Sequence, residues 1–419
     1  MLSFRQYISK IITEQFLVEE QNVHMTHVED LVLIDGSKGA TQAIAFLNDL
    51  LSMLSGNSKS SVTATVKWDG APAIFAGIDP SDNKFFVAKK GLFNKTPLVY
   101  KTPQDIAADS KMSPDLANKM NIALDEFKKL GIKSGVIQGD IMFTNDTLKK
   151  EDIKGETYIT FHPNTIVYAI PYDSDLGQQI RKAKIGVVWH TKYTGSSFES
   201  MQAEFGRPIS ETLKKVPSVW MDDATYKDYS GVATFTANES KQVKALLSKA
   251  NQLLAKLKIL DNISSDTELT TLIQTFNNSI IRAGEKVADP INHVAMLIQW
   301  IKNRYEGIIA SKKQEATKKK FQDECDKIVK KLEDNKQQII LMYQFINNLV
   351  DIKQLIIAKM NQASHINTFI KDASGFHVTG VEGFVAIDHL TGNAVKIVDR
   401  MEFSKNNFSS EIIKGWQKS

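Results

Sequence analysis

The sequence predicts an α+β chain in which a long helical block interrupts a strand-rich region, and three observations carry that expectation. Before about residue 236 the chain is a series of short β-like runs broken by Gly, Pro, Asn and Asp. From about 237 to 372 Gly and Pro almost vanish and apolar residues recur at spacings of three and four. After 373 the alternating, β-branched character returns. The expected units are therefore 1–236, a helical insertion over 237–372, and 373–419, which rejoins the first unit.

Each element follows from local pattern. "KGATQAIAFLNDLLSML" repeats apolar residues at helical spacing and predicts a helix over 38–55. "SVTATVKW", "FFVAKK", "SGVIQGDIMF", "TIVYAIPY" and "AKIGVVWHTKY" read as strands bounded by turn formers. "SPDLANKMNIALDEFKKLG" (113–131) starts at a serine cap and stops at a glycine, which predicts a second helix. In the insertion, Ile339, Tyr343, Ile346 and Val350 mark one apolar helix face. Its lysine run from Lys312 to Lys336 is interleaved with acidic residues and reads as a solvated face, with nucleic-acid tracking as the other reading. "GVEGFVAID" and "NAVKIVDRMEF" flank the turn signal "HLTGN" and predict a hairpin.

Composition narrows the class. With 419 residues, 42% hydrophobic and 24% charged, the chain has the length of two or three domains and enough apolar content for a sizeable core. A net charge of +4 permits contact with a polyanion without demanding it. The single cysteine, Cys325, excludes an intramolecular disulfide and a cysteine-based zinc site, and fits a reducing, cytoplasmic compartment. The longest apolar runs, such as "IILMYQFI", are too short to span a bilayer, so no membrane association is expected. Leu2, Phe4, Ile8, Ile11 and Ile12 suggest a short amphipathic N-terminal helix rather than a signal peptide.

The chemistry centres on "TATVKWDGAPAIFAG", where Lys67 ends an alternating run and meets a tight turn. A lysine amine is nucleophilic only when unprotonated, so it needs desolvation or neighbouring positive charge. Lys89 and Lys90, on the next β-like run, are placed to supply the latter. Asp69 and Gly70 would shape the turn and leave room for a phosphate or ribose. Further along, Asp140 in "VIQGDIMF" offers a carboxylate to a ribose hydroxyl, and Tyr168 in "TIVYAIPYD" offers a ring to a base. Glu382 in "GVEGFVAI" offers a carboxylate to a divalent cation. Lys396 and Arg400 follow on the last strand.

K-x-D-G, a G-[DE] strand, an aromatic strand, an E-G-[FV]-V strand and a lysine strand, in that order, resemble the covalent nucleotidyltransferases, which comprise ATP-dependent RNA and DNA ligases and mRNA capping enzymes. The resemblance covers residues 60–175 and 375–405 and is closest to the RNA-ligase-like members. It implies a ligase-type domain of antiparallel-rich sheets, ATP as substrate, and Mg2+ or Mn2+. Lys67 would attack the α-phosphate and Lys396 would neutralise the transferring group. Glu382 and Asp140 would serve the metal, with Asp140 also in the ribose role. Val66, Trp68, Asp69, Gly70, Lys89, Lys90 and Tyr168 would complete the nucleotide pocket. RNA or a nicked duplex would be the partner, and the helical insertion could hold a protein partner or close on the nucleic acid. About 20 residues follow the lysine strand, too few for the C-terminal OB-fold of DNA ligases and capping enzymes, which favours RNA over DNA. Lysine-rich usage and the N-terminus also resemble proteins of large tailed bacteriophages, which implies a host cytoplasm.

The pattern departs from the family at three places. No arginine follows the lysine motif, so Lys89 or Lys90 would substitute; Lys396 is followed by Ile397 and Val398 rather than a second lysine; and Asp140 is one methylene shorter than the usual glutamate. These departures keep two other functions open: a ligase-like binding or structural module without turnover, and a nucleotidyltransferase acting on another acceptor. Elsewhere, His24 and His27 with Glu29 and Asp30 have metal-compatible spacing, though two histidines without a fixed third ligand are more often cap or surface residues. His162 and His190 are candidates for the cleft, and His377 and His389 flank the Glu382 strand. Asp222-Asp223 reads better as a turn than as a metal pair.

Overall fold

The computed structural model describes residues 25–56, 62–226, 233–363, 366–388 and 393–416. Its architecture is α+β, with three sheets and a helical block. The first sheet runs in the order β1 (Thr26–His27), β15 (Ala394–Ile397), β14 (Gly383–Asp388), β2 (Val62–Lys67). The second runs β10 (Gln202–Phe205), β9 (Ile185–Thr194), β5 (Val136–Thr144), β3 (Ala73–Ile78), β4 (Phe85–Ala88), with β11 (Val219–Asp223) also on β9. The third runs β13 (Gly375–Val378), β12 (Asn367–Asp372), β8 (Val167–Pro171), β7 (Glu156–Phe161), β6 (Lys149–Ile153). Pairing is antiparallel except for β1 on β15 and β11 on β9.

The first sheet joins the two ends of the chain. β2 and β14 pair with Lys67 opposite Gly383, and β14 and β15 pair as the expected hairpin with Val385 opposite Lys396. Alternation sends Ala64, Phe384, Ala386, Val395 and Ile397 to one face, where they enter the main core. Thr65, Lys67 and Lys396 fall on the other face, which is left for polar work.

The helix expected over 38–55 forms at Gly36–Leu54, and the second forms at Pro114–Phe127. Ser113 caps the latter by accepting from the Leu116 N–H, and Gly131, at φ 73°, ends the turn that follows.

Four expectations change. The helical block runs from Ala237 to Met360, and 367–372 is not part of it. Those residues are β-branched and aromatic (Thr368, Phe369, Ile370) and pair with β8 and β13 instead. Nor is the block a separate unit. Its buried residues, among them Val243, Ile273, Leu297, Tyr343 and Leu349, share one core with the helix Gly36–Leu54 and the first sheet. Ile346 and Val350 lie at the margin of that core, since Met342, Phe345 and Leu349 carry the buried stripe. Third, "DRMEF" is a helix, Arg400–Phe408, because Asp399 caps it by accepting from the N–H groups of Met401 and Glu402. Fourth, Asp222 and Asp223 lie on β11, and Asp223 accepts from the N–H groups of Ile209 and Ser210.

One buried ion pair ties the block to the segment before Gly36: Lys353 meets Glu29 at 2.6 Å with both side chains almost fully buried. A second, partly exposed pair, Arg400 with Asp30 at 2.8 Å, ties the helix Arg400–Phe408 to that same segment. Among the described residues, no helix is long and apolar enough to cross a membrane.

Candidate active site

Lys67 occupies the last position of β2, and its ammonium is ion-paired with Glu382, the residue that leads into β14. Less than a third of the Lys67 side chain and a twelfth of that of Glu382 reach solvent, at 29% and 8%. Gly383 beside them is a requirement of this arrangement. It sits at φ 147°, and a Cβ there would lie 2.5 Å from Val398 Cγ2.

The turn that follows Lys67 is built for proximity. A Cβ on Gly70 would fall 2.5 Å from the Asp140 Cβ and 2.8 Å from Met142 Sδ, so only glycine lets the turn lie against β5. Backbone bonds from Ala71 to Ile141 and from Ile141 to Pro72 fix that contact. Asp69, expected at the nucleotide, is spent elsewhere. Its buried carboxylate accepts from Asn164 Nδ2 and from the N–H groups of Thr165 and Ile166, at 2.6–2.8 Å. It therefore pins the 164–166 loop to the lysine turn.

Asp140 lies across the crease on β5. A quarter of its side-chain surface stays in water, yet burial of the carboxyl pushes it up to about 7, against the opposing pull of Lys67 and Lys90. Burial also raises Glu382 to about 7, and the nearby charges of Asp69 and Asp140 add to the rise. His190 approaches Asp140 at 3.7 Å and is held neutral by burial, which lowers it to about 4. Lys396 is lowered from the usual lysine range, first by burial and then by the charge of Lys67. The crease thus holds two lysines facing two carboxyls that are costly to keep ionised.

The two candidate basic substitutes separate. Lys89 is tied to Asp109 at 2.6 Å, and Asp109 also accepts from the Tyr100 hydroxyl, so Lys89 does not join the site. Lys90 is exposed and close enough to act on Asp140. Three other expectations are corrected. Tyr168 is fully buried, stacked between Trp68 and Phe161 at 5.2 Å each, and its hydroxyl accepts from the Asp69 N–H. It is a support for the turn and presents no free face to a base. Trp68 is spent on that stack and on an edge contact with Trp220. Val66 points to the opposite face from Lys67 and packs on the main core.

The histidine candidates divide in the same way. His162 bonds to the Thr165 carbonyl in the pinned loop. His377 contacts Asp372 and Ser374 in the β12–β13 hairpin, away from the lysine. His27 is buried and neutral, lowered to about 3, while Glu29 and Asp30 are engaged by Lys353 and Arg400. His24 and His389 lie outside the described residues. No group of three or more His, Cys, Asp or Glu side chains suited to a metal occurs among the described residues.

Sequence reasoning missed one wall of the site. The helix Arg400–Phe408 places the Phe403 ring 5.7 Å from Lys67 Nζ. A small cavity of about 20 Å³ lies between this helix and the crease, bordered by Asp69, Glu382, Asp399 and Glu402. The signal was present, because Asp399 followed by Glu402 is the spacing of a helix start.

These features define a class: an α+β protein with a partly buried lysine, paired to a carboxylate, at the junction of two sheets. The chain belongs to a family of unknown function, DUF6267, whose profile matches residues 22–412. No curated protein and no solved structure matches it.

Proposed function

We propose that this protein is an ATP-dependent polynucleotide ligase of the covalent nucleotidyltransferase type, with Lys67 as nucleophile and RNA or a nicked duplex as the strand joined. The observation that carries the reading is the convergence of Lys67, Glu382, Asp140 and Lys396 on one crease from four separate strand segments. The same four residues carry four of the five motifs of the ordered set; the fifth, the aromatic strand with Tyr168, supports the lysine turn instead.

The chemistry follows from their placement. Glu382, raised toward neutrality, accepts the proton from the Lys67 ammonium it already contacts. The freed amine forms a bond from Nζ to the α-phosphorus, the bond from that phosphorus to the bridging oxygen breaks, and pyrophosphate leaves. Lys396 and Lys90 offset charge on the phosphate oxygens. Glu382 and Asp140, each as a carboxylate, would hold a divalent cation, which when bound would polarise the phosphate.

Incubation with ATP labelled on the α- or the γ-phosphate tests the reading. Label from the α position should stay with denatured protein and label from the γ position should not; retention of neither removes the proposal.

A second reading, a ligase-like module without turnover, is favoured by one observation: Lys67 is held by Glu382 and flanked by Phe403, while Lys89 is engaged by Asp109. Repeated end joining by catalytic amounts of protein would remove that reading.

A further inference from the structure

The helix Arg400–Phe408 is docked in an unusual way. Helices of this length are held in proteins mainly by an apolar face, yet its buried residues are Ser404 and Asn406, both polar. Phe408 is 62% exposed, and Met401 and Phe403 are only partly covered.

What holds the helix is a ring of polar contacts. Arg400 donates to Asp30 at 2.8 Å and to Asn278 at 2.5 Å. Glu402 accepts from Thr379 at 2.6 Å, and Thr165 donates to Asn407 at 3.2 Å. Lys414, buried in the segment that follows, donates to the Asn406 carbonyl. These contacts are few and centre on Arg400, and little apolar area is buried beside them. The helix therefore stays docked only while that latch is intact.

Its position gives that property a consequence. The Phe403 ring stands 5.7 Å from Lys67 Nζ on one side, and Asp399 and Glu402 add two carboxylates to a cavity already bordered by Asp69 and Glu382. A polyanion approaching Lys67 from this side meets a closed and negatively charged wall.

We propose that the helix Arg400–Phe408 is an autoinhibitory cover on Lys67, latched by Arg400 to Asp30 and Asn278, which must lift before a phosphate-bearing substrate reaches the lysine. The inference rests on Lys67 being the functional group of the proposed activity. Its test reads access to the lysine without any nucleotide, so the two can fail separately.

The experiment is competitive acetylation of the full chain by a small uncharged amine-acylating ester, with peptide masses giving the rate at each lysine. Lys90, exposed and outside the cover, is the internal reference. Asn278→Ala removes one latch contact and leaves the Arg400–Asp30 pair, and Phe403→Ala removes the shield; both should raise Lys67 acetylation, about tenfold where a charged hydrogen bond is lost, with Lys90 unchanged. Arg400→Ala should exceed Asn278→Ala if the chain folds, as judged by its melting curve. Hydrogen exchange gives a second reading: amides of 400–408 should exchange well before those of β14. Unchanged Lys67 acetylation in both Asn278→Ala and Phe403→Ala, or exchange of 400–408 as slow as β14, would overturn the cover.

Discussion

Lys67 and Glu382 stand at opposite ends of the chain in sequence and form an ion pair on neighbouring strands. Their contact depends on the pairing of β2 with β14, so the chemistry is assembled only when the chain closes on itself across the whole helical block. Glu382 is thereby placed in direct contact with the lysine amine.

Replacing Glu382 with Gln keeps the shape and removes the acceptor. Formation of the Lys67 adduct should slow by about 10²–10⁴-fold, followed as adduct mass against time. In the unmodified protein the rate should climb as pH rises through about 7, because the carboxylate form of Glu382 is the competent one. A flat profile from pH 6 to 8 would assign the proton to another group.

Asp140 makes a separate prediction about stability. Its folded value of about 7 exceeds the ordinary aspartate value of 3.8, so between these limits the folded state holds more protons than the unfolded one. Stability contributed by this group is then lost as pH rises across that window. Asp140→Asn should raise the unfolding free energy at pH 8 by an amount on the order of 2 kcal/mol, and change it little at pH 4, at the lower edge of the window. Equal effects at both pH values would contradict the assignment.

The turn after Lys67 divides into a spacer and a clasp. Gly70→Ala should cost about 1–3 kcal/mol, through the clash with Asp140 and Met142. Asp69→Ala should cost about 3 kcal/mol, since it leaves the donors of Asn164, Thr165 and Ile166 without their acceptor. Urea unfolding measures both. A mild effect of Asp69→Ala, combined with loss of nucleotide binding, would return Asp69 to the ligand shell.

Lys89 and Lys90 are adjacent in sequence and should behave differently. Lys90→Ala should weaken capture of ATP by about tenfold, seen as a higher ATP concentration for half-maximal adduct rate. Lys89→Ala should leave that concentration unchanged and lower stability slightly, since it frees Asp109. The reverse pattern would exchange their roles.

Much of the frame was legible in the sequence. Ser113 and Gly131 bounded a helix because caps act locally, and the run 383–397 announced a hairpin because alternation and turn residues do too. The hairpin β6–β7 was missed, although Lys154 and Gly155, both at positive φ, form its tight turn. Within the site, Lys67, Glu382, Asp140 and Lys396 were named from motif order. Tyr168 and Asp69 were misjudged for a shared reason: which face of a strand meets solvent depends on the third sheet, whose packing lies far away in sequence. Phe403 was lost because "DRMEF" alternates like a strand, and the cap at Asp399 outweighed that alternation.

The most direct measurement is the intact mass of the purified, nucleotide-free protein after incubation with ATP, and separately GTP, together with Mg2+ or Mn2+. Lys67→Ala would be run in parallel. The account predicts a gain of one AMP that maps to Lys67 and is absent from the variant. A folded protein that gains no mass with either nucleotide, or a gain that survives Lys67→Ala, would contradict it.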